Sequence, residues 1–74
     1  MIKKIKLYFI NKKIKKTQKN IAKTSEDINW LKNHIHDYNP AIVTNELAHL
    51  NNILKLYETL LRAYTRDAER IKNK

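Results

Sequence analysis

One proline and no glycine among 74 residues leave this chain a single clear place to turn. Pro40 has no N–H to give to a helix ladder. It therefore suits the first helical position, where that N–H finds no partner anyway. Asn39 before it is a good N-cap, because its side-chain oxygen can accept from the free N–H groups of the first turn. Tyr38 and Val43 fall at the two ends of a hydrophobic staple, which sets the angle at which the chain enters the helix. The segment Asp37-Tyr38-Asn39-Pro40 thus reads as a turn followed by a helix start.

On either side of this turn the apolar residues recur in alternating steps of three and four. Before it the steps fall on Leu7, Ile10, Ile14, Thr17, Ile21, Thr24, Ile28, Leu31, Ile35 and Tyr38. After it they fall on Val43, Leu47, Leu50, Leu54, Tyr57, Leu61, Tyr64, Ala68 and Ile71. Only Thr17 and Thr24 interrupt the apolar character. A repeat of about 3.5 residues sustained this long predicts coiled-coil packing, and the period-two alternation of strands is missing. A short connection makes the two helices antiparallel.

The chain is therefore expected to be all-α: an antiparallel two-helix coiled-coil hairpin, one domain over 1–74. Helix 1 is expected over about 3–37, the turn at 38–39 and helix 2 over about 40–72. Folding there pairs residues whose numbers sum to about 78, setting Ile28 against Leu50, Ile14 against Tyr64 and Leu7 against Ile71. It also brings Lys13 near Asp67. One alternative stays open. Thr24-Ser25-Glu26-Asp27 resembles a capped helix start, so a break near residue 24 would give three helices and free 1–22 as a basic arm.

Helix 2 is apolar over more than the seam needs. Ile42, Ile53, Leu56, Leu60 and Ala63 widen it to one side, and Phe9, Trp30 and Ile2 of helix 1 flank that side in the antiparallel register. A contiguous exposed apolar face marks an interaction site. A chain this short with no cysteine buries little and has no disulfide to help. Self-association into a four-helix bundle, most simply as a homodimer, is the expected outcome. Phe9, Trp30, Ile42, Ile53, Leu56 and Leu60 form the candidate oligomer or partner interface.

Charge is distributed as unevenly as hydropathy. Nine lysines precede residue 24, at positions 3, 4, 6, 12, 13, 15, 16, 19 and 23, and the first acid is Glu26. The rest of the chain balances, with seven cations against seven anions, so the net charge of +9 belongs to the first third. Like charges this dense weaken the helix that carries them and attract polyanions. In the hairpin they meet Arg62, Arg66, Arg70, Lys72 and Lys74, diluted only by Glu58, Asp67 and Glu69. The three arginines follow at i, i+4 and suggest one stripe.

Catalytic chemistry finds little purchase. His34 and His36 are two apart and diverge on a helix, whereas zinc helices use i, i+4 spacing with a third ligand. Glu26 and Asp27 are adjacent and read as first-turn helix acids. Ser25 has no activating base nearby in sequence, and a two-helix bundle lacks the deep pocket catalysis needs. No enzyme activity, metal or cofactor is expected. The short apolar run Leu7–Ile10 is far below the ~20 residues of a membrane span. The basic start has no long apolar segment or cleavage site after it, so the chain reads as cytoplasmic.

The functional expectation is nucleic-acid binding through phosphates. Lys12, Lys13, Lys15, Lys16, Lys19 and Lys23 with Arg62, Arg66 and Arg70 are the candidate contacts, and nothing selects DNA over RNA. The alternative is a regulatory adaptor or inhibitor that docks on a protein target by its apolar face and basic end. A third reading is association with an anionic membrane surface through Ile2, Ile5 and Phe9, which the continuation of the lysines beyond that stripe disfavours.

Overall fold

The computed structural model describes residues 2–73 as two long helices folded side by side. Helix α1 spans Ile2–Asn33 and helix α2 spans Pro40–Lys72. Between them lies a short 3₁₀ helix, Ile35–Asp37. The molecule is a rod 55 Å long and 14 by 12 Å across. Among the described residues there is no strand.

Asn39 and Pro40 take the positions that the sequence indicates. Asn39 is extended at φ −62°, ψ 125°, and its Oδ1 accepts from the Ala41 N–H at 2.9 Å. Pro40 occupies the first helical position, and the Val43 N–H donates to the Asn39 carbonyl at 3.0 Å, closing the first α-helical turn. Val43 is the most deeply buried side chain, at 1% exposure. Tyr38 stays half exposed, its ring 6.2 Å from that of Trp30.

Helix α1 ends four residues earlier than the heptad pattern indicates, at Asn33 rather than near residue 37. The reason lies in the backbone of His34. Its N–H donates to Leu31 O at 3.2 Å, one residue short of the α-helical partner, and its φ of −116° leaves the helical region. The Trp30 carbonyl, which that N–H would have served, lies 2.8 Å from the His34 Nδ1 instead. A carbonyl can only accept, so Nδ1 carries the proton. The imidazole stacks on the Trp30 indole with 4.1 Å between centroids and 15° between planes. His34 thus closes the helix in a place where glycine commonly does so. Ile35 is consequently in the 3₁₀ segment and 38% exposed, not packed in the seam.

Elsewhere the seam follows the repeat. From Leu7 to Leu31 and from Val43 to Ile71, every position picked out by the three-four steps is buried or half-buried. Thr17 and Thr24 are buried with the rest. Thr17 satisfies its hydroxyl by donating to Lys13 O at 2.8 Å. Helix α1 runs unbroken through Thr24, so the capped start suggested by Thr24-Ser25-Glu26-Asp27 is not used. Burying Thr24 on the seam keeps the heptad phase continuous there.

The register is set by contacts across the seam. Lys13 lies over the Tyr64 ring, and Asp27 and Leu31 share a groove with Glu46 and Leu50, all consistent with numbers summing to 77. At the open end Lys3 Nζ donates to the Lys72 carbonyl at 2.9 Å. The last carbonyls of a helix have no internal partner. An ammonium from the neighbouring helix supplies one.

Candidate nucleic-acid interface

All nine lysines between positions 3 and 23 are exposed. Helix α1 carries them on one uninterrupted span of 21 residues, about 30 Å at ~1.5 Å per residue. They do not share a face. Lys16 and Lys23 are a heptad apart and follow Ile2 and Phe9, while Lys6 and Lys13 form a second row nearer the seam. Lys12 and Lys19 form a third row, and Lys15 lies in the row of Tyr8. The result is a collar of ammonium groups around the solvent side of α1.

Two aromatic rings steady the collar. Lys12 Nζ is 5.3 Å from the centre of the Tyr8 ring, and Lys13 Nζ is 5.8 Å from that of Tyr64. A cation over a ring face is attracted by the quadrupole, about 0.5–1 kcal/mol at exposed sites. Lys13 is thus at the level expected, but its ammonium lies over Tyr64. Tyr8 also meets Phe9 edge-on, with centroids 5.5 Å apart and planes at 72°. Tyr8 escapes a reading of the sequence because its role depends on the i, i+4 reach to Lys12, not on any motif.

The three arginines do not act as one stripe. Arg62 and Arg66 line an open groove with Leu61, Thr65 and Glu69 on one edge of α2. Arg62 Nη2 reaches Thr59 Oγ1 at 3.4 Å. Arg70 lines a different groove, with Ile2, Lys3, Lys6 and Ile71, where the helix ends come together. The divergence follows from helix geometry: each step of four residues rotates by about 40°, so Arg62 and Arg70 point about 80° apart. Glu69 in the first groove partly offsets its two guanidinium groups. The register still puts Arg62 level with Lys15 and Arg66 level with Asn11, so both grooves belong to the basic half of the rod. Lys74, counted with this end in the sequence, lies outside the described residues, as does Met1.

The apolar face is present and open. Phe9 is 57% exposed, Trp30 51%, Ile42 65%, Leu56 66% and Leu60 42%. Ile53 differs, being half-buried toward the seam. These residues fall on heptad rows beside the seam: Phe9 and Trp30 on α1, Ile42 and Leu56 in one row of α2, Ile53 and Leu60 in the next. At the loop end Asp27 and Glu46 line a groove with Trp30. Their pairing escapes a linear reading, because it exists only across the seam.

Among the described residues no group of three or more His, Cys, Asp or Glu is placed to hold a metal ion, and no helix is long and apolar enough to cross a membrane. No buried side-chain nitrogen or oxygen among them lacks a hydrogen-bond partner. The described surface offers exposed cations on α1 and exposed apolar area on both helices. No protein-family model matches this chain, and no curated protein or solved structure matches it either.

Proposed function

We propose that this chain is a small, non-catalytic, cytoplasmic nucleic-acid-binding protein. It contacts phosphates through the lysine collar of α1 with Arg62 and Arg66, and it works as a dimer of hairpins. The observation that carries the reading is the run of nine exposed lysines on one helix with no acid among them. A helix that needed only solubility would alternate the signs of its charges, since alternation also stabilises it. Lysine suits phosphate because its ammonium is a point charge on a long stem, and such contacts hold a backbone without reading bases. The dimer reading rests on the exposed apolar face, which water would otherwise cover.

A second reading keeps the same surfaces and changes the target. The exposed Phe9, Leu56 and Leu60 suit an adaptor or inhibitor that docks on another protein, with the lysines meeting an acidic surface there.

Fluorescence anisotropy on labelled duplex and single-stranded DNA and RNA, over a salt series, tests the proposal. Binding should fall steeply with salt. Changing Lys12, Lys13, Lys15 and Lys16 to Gln should lower the log–log slope by about 2.8–3.6, at roughly 0.7–0.9 for each phosphate no longer neutralised, with helicity unchanged. Absence of binding to all four at low salt, with a stoichiometric protein complex recovered from cells, would favour the second reading. Helix gain on anionic vesicles that depends on Phe9, without nucleic-acid binding, would point instead to a membrane surface.

A further inference from the structure

The apolar face carries opposite charges at its two ends. At the open end Arg70 and Lys6 line one groove, and at the loop end Glu46 and Asp27 line another. On α2, Glu46 and Arg70 belong to the two heptad rows that also hold Leu56 and Leu60, which lie midway between them. We propose that a second copy of this chain covers this face in antiparallel order, α2 against the partner's α2, about a two-fold axis between Leu56 and Leu60. The proposal deepens the dimer reading above and rests on it.

A single register pairs the α2 rows of the face and leaves Phe9 and Trp30 of α1 outside the contact. Around that axis, α2 residues whose numbers sum to about 116 meet across the interface, the antiparallel counterpart of heptad pairing. Leu56 then meets the partner's Leu60, and Ile53 the partner's Ala63. Glu46 meets the partner's Arg70, and His49 the partner's Asp67. An isologous interface makes each contact twice, so the apolar centre is flanked on both sides by complementary polar pairs. Like charges placed opposite each other at an interface suppress a wrong arrangement, and opposite ones fix the register.

The parallel order lacks this fit. A two-fold axis along the rod sets α2 against the partner's α1, where Lys16 is level with Leu61 and Lys23 with Leu54. Both lysines would then cover the leucine centre, and the two basic ends would lie side by side. In antiparallel order Lys16 would face the partner's Lys23, so the contact centres on α2 and leaves the two α1 helices splayed with those lysines in water. A dimer of this kind carries one phosphate-binding field at each end. A polyanion would contact it at two separated places.

The absence of cysteine makes the order directly readable. Chains carrying His49→Cys and Asp67→Cys, both at exposed positions, are mixed and oxidised. The expected product is the mixed disulfide. Same-site pairs would stand about 27 Å apart along the rod at ~1.5 Å per residue, beyond the ~7 Å Cα separation a disulfide tolerates. Same-site disulfides, or no cross-link in a chain that sediments as a dimer, overturn the antiparallel order alone. A monomer at about 100 µM overturns the dimer reading and this proposal with it. Charge exchange gives an independent check. Glu46→Arg and Arg70→Glu should each weaken association roughly ten-fold at low salt, and the chain carrying both should recover. Additive weakening in the double variant also overturns the order.

Discussion

Asn39 and His34 close the two helices on either side of one turn, and they do so by different means. Asn39 accepts from a free N–H at the start of α2, a local arrangement within two residues that any reading of the sequence can find. His34 serves a carbonyl released when its own N–H shifts to Leu31, which depends on where the backbone leaves the helix. The seam residues have different sensitivities. Val43→Ala removes two methyl groups from the most buried site and should cost about 2 kcal/mol, read from urea unfolding followed by circular dichroism. Thr24→Val should stabilise the fold by about 1 kcal/mol, since the site is buried among apolar side chains. Thr17→Val should gain less, because it also removes the bond from the hydroxyl to Lys13 O. An equal gain at both sites would show that the Thr17 bond contributes nothing net.

The two helices are unequal partners. Helix α2 has a good cap, proline at its first position and Arg70 and Lys72 in its last turn, all favourable to its start or its dipole. Helix α1 has no acid in its first turn and carries lysines there, which oppose the dipole and repel one another. Its order therefore depends on packing against α2. Added sodium chloride should raise the melting temperature of the free chain, because the Debye length falls from about 30 Å at 0.01 M to about 10 Å at 0.1 M and the lysines cease to repel. A melting temperature that falls or stays level over that range would mean that the collar does not strain α1. A polyanion should have the same stabilising effect through occupancy.

On the scale of the whole rod, the basic half and the apolar face impose separable requirements. Leu56→Asp with Leu60→Asp should leave the hairpin helical and shift sedimentation to the monomer, since both side chains are exposed in the single chain and neither packs in its seam. An unchanged mass would remove the apolar face as the site of association. On the proposed function, the monomeric variant should still bind nucleic acid with a smaller salt slope than the native chain, because one hairpin presents one field of cations where the proposed dimer would present two.

The order of the elements, the place of the turn and the residues of the seam follow from the linear order of residues alone. A heptad repeat and a capped proline are properties of neighbours along the chain, and burial follows them from Leu7 to Leu31 and from Val43 to Ile71. The nine lysines were equally legible as exposed, since a run of cations without acids has no means of being buried. Other features waited for the folded hairpin. The arginines at 62, 66 and 70 separate into two grooves because an i, i+4 row rotates around the helix as it advances. Trp30, Asp27 and Glu46 share one groove because the turn and the register bring distant residues to the same level. Periodicity is a one-dimensional signal, whereas a groove is made only where two helices lie side by side.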